Sequence, residues 1–258
     1  SGSFSITAEA KIEQSTYRHD LQVIEYPHIQ TRRIYWPAKA TAKVIDLAVA
    51  QVKVGYIMGS GDQIPEALSR MGVNVSMLDE NFLTSRNLST FDTIVVGVRA
   101  SEARPDFVAN HKRLMEYVNN GGTLIVQYQQ TNYVSENLPP FPAKMRSRVT
   151  DETAPVQILA PDHQVFTFPN HITSKDFDGW IQERNLYAFT TFDERYKPLL
   201  QTADPGENPQ QGGQVYAKIG KGHYIYTAYA WFRQLPAGVP GAYRMFANLI
   251  SLPKAPQP

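Results

Sequence analysis

The sequence predicts an α/β fold: three layers around a mostly parallel sheet, with an N-terminal β appendage and a hairpin at the sheet edge. Three observations carry that prediction. From Gln51 onward, strand-sized apolar runs alternate with helical patterns, as in successive crossovers. The runs are nearly continuous in apolar residues, which marks strands buried on both faces. Before Gln51 the chain instead shows short alternating bursts punctuated by proline.

Taken in order, residues 1–50 read as a β-rich appendage or a linker from a preceding module. Segments 21–26 and 31–36 are strand-like, separated by Pro27-His28 and stopped by Pro37, and 43–48 is a candidate third strand. Residues 51–252 form the α/β domain. Its first strand, 52–58, runs into the loop Gly59-Ser60-Gly61-Asp62 and then a helix over 64–70. Pro65 is tolerated in the first turn of that helix and Gly72 stops it. Strands follow at 73–78 and 93–98. One helix is expected over 105–120, with Phe107, Leu114 and Val118 on one face and Gly121 as a left-handed stop. The fourth strand is 124–128.

Short crossovers of this kind are right-handed and put helices on both faces of the sheet. A proline-rich excursion begins after Asn132, and within it 144–148 reads as a solvated loop. Strands 214–218 and 223–229 form the edge hairpin around Gly220-Lys221-Gly222. A helix over 240–252 closes the domain with Tyr243, Phe246, Ala247 and Ile250 facing in, and 253–258 is a tail. This order of elements is flavodoxin-like or amidotransferase-like.

Composition narrows the function classes. The 258 residues are 42% hydrophobic, enough for an ordinary core. No apolar run approaches the roughly 20 residues of a membrane helix, so no membrane span is expected. Net charge is +1, with 25 basic and 24 acidic residues interleaved, so nothing would steer nucleic acid. Ser1-Gly2-Ser3 reads as a cloning remnant, and the native start, with any signal peptide, is expected upstream. There is no cysteine. In amidotransferase-like folds a reactive cysteine follows the strand that here ends in Gln127, Tyr128 and Gln129, so thiolate chemistry is excluded.

Other chemistries are tested residue by residue. Gly59, Ser60 and Asp62 lie where a dinucleotide fingerprint would, with Asp79 twenty residues on. Ile64 replaces the third glycine and Asp62 would repel a pyrophosphate, so a tight strand-to-helix turn is the better reading. Ser60 as a nucleophile would need a base, and the loop Ala230-Trp231-Phe232-Arg233 holds no histidine. The six histidines show no zinc-ligand spacing, so neither a metal nor any other cofactor is expected. Asp176 to Arg184 is the densest polar–aromatic stretch. An indole such as Trp180 stacks on pyranose C–H groups while Gln182 and Glu183 serve hydroxyls. The competing reading buries Trp180 and uses Glu183 and Arg184 in structural pairs.

Five stretches together resemble the C-terminal region of large bacterial PIG-L (LmbE-like) deacetylases. They are Val54 to Asp62, Gly97 to Ala100, Gly121 to Tyr128, Asp176 to Arg184 and Phe232 to Arg244. That region is similar to class I glutamine amidotransferases and the ThuA-like group, and the likeness covers roughly residues 20 to 252. The resemblance implies a zinc-dependent N-deacetylase of N-acetylglucosamine-type substrates in a missing N-terminal catalytic domain. Its Pro-His-Pro-Asp-Asp and His-x-x-His motifs do not occur in this sequence. It also implies an extracytoplasmic location. Ser101-Glu102 departs from the Tyr-Asn expected after Arg99-Ala100.

The resulting expectation is a non-catalytic accessory domain that recognises glycan or amino sugar, or braces the catalytic module. Its pocket would gather Gly59, Ser60, Asp62, Arg99, Gln127, Tyr128 and Gln129, with Trp180, Gln182, Glu183, Trp231 and Arg233 supplying stacking and hydrogen bonds. The alternatives are a hydrolase using Glu183 or Ser60 on a carbohydrate or ester, and a structural module whose first fifty residues are a dock.

Overall fold

The computed structural model describes residues 2–256. It divides into two compact units, 1–46 and 47–258. In the first, Gly2–Thr7 pairs antiparallel with Lys39–Val44, Ala10–Ile12 with Ser15–Tyr17, and His19–Ile24 with Arg32–Pro37. The third strand expected at 43–48 instead occupies Lys39–Val44, because its partner Gly2–Thr7 sets the register. No described residue of this unit is buried. Ladder hydrogen bonds and cross-strand pairs hold it, without a core of its own.

The second unit is built on a seven-stranded sheet. Its strands are β1 (Lys53–Ile57), β2 (Asn74–Met77), β3 (Thr93–Val96), β4 (Thr123–Gln127), β5 (Lys197–Pro198), β6 (Gln214–Ile219) and β7 (Gly222–Thr227). The spatial order is β2-β1-β3-β4-β7-β6-β5. β2, β1, β3, β4 and β7 are mutually parallel, and β6 and β5 extend the sheet antiparallel. The hairpin expected near the edge is therefore present. Its second arm is also the fifth parallel strand, and the short β5 lies outside it.

Alternation along the strands explains the layers. Ile94, Val96, Leu124, Val126, Tyr224 and Tyr226 join one core cluster with Leu114 and Val118. The latter two belong to a helix, α1 (His111–Asn119). Thr93 points to the other face, where its hydroxyl donates to Ile250 O (2.9 Å) in the C-terminal helix α2 (Pro240–Ser251). The sheet thus carries helices on both faces.

Two expectations for this second unit are corrected. The helix expected over 105–120 is broken into Pro105–Ala109 and α1. Asn110 sits between them at φ −101°, with its Nδ2 donating to Asp106 O at 2.8 Å. An asparagine that satisfies a backbone carbonyl in this way competes with helix continuation. Residues 144–148 are not a solvated loop. They lie in a strand, Ala143–Val149, paired antiparallel with Asn185–Phe192. Met145 and Val149 point inward while Lys144, Arg146 and Arg148 face solvent. Among the described residues no helix is long and apolar enough to cross a membrane.

Candidate functional site

In an open parallel sheet the ligand side lies beyond the carboxyl ends of the strands, at the point where strand order reverses. Here that point is between β1 and β3, and it is sealed from within. Gly59 crosses Val98 so closely that a Cβ would stand 1.9 Å from Val98 O. The Ser60 N–H donates to the same carbonyl at 2.9 Å, and Ser60 Oγ does so at 3.3 Å. The Asp62 carboxylate occupies the anion position. It accepts from Ile64 N (3.0 Å), Val98 N (3.4 Å) and the Tyr56 hydroxyl (2.7 and 2.8 Å). Burial raises the Asp62 carboxyl above its usual range, against the hydrogen bonds that pull it down.

The next strand end is equally committed inward. Gln127 Nε2 donates to Tyr56 Oη at 2.9 Å. Gln129 is fully buried: its Nε2 donates to Gly97 O (2.9 Å) and Gln127 O (3.0 Å), and its Oε1 accepts from Ser101 N (3.0 Å). Gln127 ties the end of β4 to β1 and, at 3.5 Å, to Val96 O of β3, while Gln129 braces the ends of β3 and β4 against each other. Trp180 and Trp231 are also interior, 4% and 0% exposed, and pack edge-on at 5.1 Å between centroids. Their indole N–H groups are used by Asp176 O (3.2 Å) and Thr227 Oγ1 (2.7 Å). With so little of either indole exposed, the stacking face looked for at Trp180 lies in the core.

What does face outward is a row of three half-buried rings. Tyr128 lies 5.6 Å from Tyr187 (36° between planes) and 6.1 Å from Phe232 (26°). At these separations the Tyr128–Phe232 stack is offset rather than sandwiched and the Tyr187 ring is tilted against Tyr128, so the three rings form a stepped terrace. Burial raises the Tyr128 phenol above its ordinary value. Arg99 borders the row. Its N–H donates to Tyr128 O (2.9 Å) and its guanidinium pairs with Glu102 (2.6 Å). At the other end Arg233 stands 4.9 Å over the Phe232 ring and pairs with Glu183 (2.5 Å). Glu183 is thus an anchor for Arg233.

Backbone strain concentrates around this row. Arg99 (φ 57°), Gln182 (φ 66°) and Tyr187 (φ 54°) all adopt left-handed conformations, which are unusual for non-glycine residues and for bulky ones above all. Tyr187 lies in a bulge, where Leu186 and Tyr187 stand opposite Arg148 alone. Tyr226 Oη holds the bulge by donating to Tyr187 O at 2.8 Å. Sequence reasoning placed Arg99, Tyr128 and Arg233 at this end and missed Tyr187. The available signal was the aromatic- and threonine-rich run from Asn185 to Phe192, a strand composition.

The sheet order and the layering are those of a ThuA-like, class I glutamine amidotransferase-like fold. Solved structures bear this out. A putative ThuA-like protein from Bacteroides uniformis superposes with TM-score 0.52 at 11% identity, covering 81% of this chain and 92% of that one. A putative GMP synthase component from Thermoplasma acidophilum gives 0.51 at 11% identity, covering 80% and 96%. A cold-adapted β-galactosidase from Rahnella sp. R3 gives 0.51 at 15% identity, covering 81% of this chain and 32% of the galactosidase, so this chain spans about a third of that enzyme. At such identities the likeness concerns the fold alone. No protein-family model matches the sequence, and no curated protein matches it.

Proposed function

We propose that this chain is a non-catalytic accessory domain that recognises glycan within a larger carbohydrate-active enzyme, such as a PIG-L-like N-deacetylase. The observation that carries the reading is the terrace of Tyr187, Tyr128 and Phe232 at the carboxyl ends of the parallel strands. Aromatic faces take the C–H faces of sugar rings, and the flanking arginine–glutamate pairs offer donors and acceptors to hydroxyls. The resemblance to amidotransferases implies a cysteine on the turn after β4; this chain has none, and on this reading a binding surface that includes Tyr128 takes the place of the reactive thiol. A domain of this fold within a β-galactosidase gives precedent for such a setting.

The hydrolase alternative has less behind it. The Ser60 hydroxyl is spent on Val98 O, and Glu183 is held by Arg233.

The test is calorimetric titration of the chain with amino sugars, chitin fragments and peptidoglycan fragments. Saturable binding is expected even if only millimolar, about −4 kcal/mol. Tyr128→Ala should weaken it several-fold, corresponding to roughly 1 kcal/mol of stacking. If the unaltered chain binds none of these sugars, the reading fails.

A further inference from the structure

We infer that the ligand is an uncharged oligosaccharide chain of at least two rings, laid along Tyr187, Tyr128 and Phe232 with Tyr128 at its centre; this rests on the glycan reading above. Length follows from the terrace. Two successive centroid steps of 5.6 and 6.1 Å are more than one pyranose covers, so a single sugar leaves aromatic face in water. A second ring covers it without a second loss of translational freedom. Tyr128 is the shared member of both ring contacts, and it alone serves whichever pair a disaccharide occupies.

Charge neutrality follows from the flanks. Each bordering guanidinium carries its own carboxylate: Arg99 with Glu102 at 2.6 Å and Arg233 with Glu183 at 2.5 Å. Neither flank presents a net charge to attract a uronate or a free amine. In both pairs Nε makes the close contact, which leaves the terminal guanidinium N–H groups as donors that a neutral hydroxyl or acetamido oxygen can accept from.

The strained backbone fits this assignment. Arg99, whose N–H donates to Tyr128 O, and Tyr187, whose carbonyl accepts from Tyr226 Oη, both hold left-handed conformations, so the backbone that carries the rings is held in place before a ligand arrives. Preformed geometry matters most for a shallow terrace, where few contacts repay the ordering of side chains.

The experiment compares N-acetylglucosamine with its dimer, trimer and tetramer, alongside glucosamine and uronate oligomers of matched length, on the full chain. Affinity should rise about three- to tenfold with each added ring and level off near three rings. Neutral oligomers should outbind both charged series. Tyr128→Ala should abolish the gain with length. Phe232→Leu, which keeps apolar bulk but loses the ring, should move the plateau one sugar shorter, with its unfolding midpoint checked against the parent. Equal affinity for monomer and tetramer, or a preference for a charged series, overturns this inference and leaves the glycan reading intact. Absence of binding by every sugar takes down both.

Discussion

Gly59 and Asp62 decide what the end of the first strand can do. A Cβ on Gly59 would lie 1.9 Å from Val98 O and 2.9 Å from Ala100 N. Both obstacles are backbone, so they do not swing aside as a side-chain tip would. Gly59→Ala therefore has to part β1 from β3 at their ends, at a cost of about 1–3 kcal/mol. The measurement is urea unfolding, with a lowered midpoint at unchanged slope expected. A change below about 0.5 kcal/mol would mean that the crossing yields freely and the crevice is not sealed as described. The turn itself was legible in the sequence, because Gly-Ser-Gly-Asp between an apolar run and a helix has few other uses. The destination of Asp62 was not. Its carboxylate reaches Val98 N, which is 36 residues away in sequence, and no local pattern announces that contact.

The element that sequence reading lost, Ala143–Val149, shows why the excursion was opaque. Pro139, Pro140 and Pro142 announce a loop, and three cations within five residues suggest solvent on every side. The partner strand, Asn185–Phe192, begins some forty residues later, so the pairing leaves no short-range trace. The alternation is nevertheless that of a one-sided strand: Met145 is 5% exposed and opposite Phe189, while Arg146 faces water. Met145→Ala should cost about 2–5 kcal/mol, and Arg146→Ala should stay within about 0.5 kcal/mol. Thermal or urea unfolding of the two variants side by side checks the assignment. Equal effects would mean that the stretch has no buried face. The candidate site depends on the same strand, since Tyr187 owes its outward placement to the bulge in this ladder. A reading that missed the strand had no means of finding the ring. The central strands were legible for the opposite reason: burial on both faces writes itself into each run independently of its neighbours.

Across the whole molecule, three imidazoles in two places weaken the fold in acid: His111 by itself, and His163 and His223 together around Tyr216. His111 opens α1, His163 stands before the helix Gln164–Thr167, and His223 lies near the start of β7. Burial is the leading cause that holds each of them at about 4, against an ordinary 6.5. Lys197 pushes His163 in the same direction, and Lys218 and the neighbouring His163 do so for His223. His111 Nδ1 is buried without a hydrogen-bond partner among the described residues, so the neutral ring is the form that packs. In the unfolded chain these rings take up protons near pH 6.5, whereas in the folded chain they resist until about pH 4. Between those values the unfolded state binds more protons, so stability falls as pH falls. The contribution is complete above about pH 7 and is lost by about pH 4, at most roughly 3 kcal/mol for His111 and less for the two more exposed rings. Asp193, held near 2 by Arg195, adds a second loss of the same sign below the histidine window. Unfolding free energies measured by urea at pH 7.5, 6, 5 and 4.5 should therefore decline throughout, and His111→Leu should make that decline shallower. Constant stability from pH 7.5 to 4.5 would mean that the rings are hydrated in the folded chain. The packing described around α1 and β7 would then be looser than the burial of these rings requires.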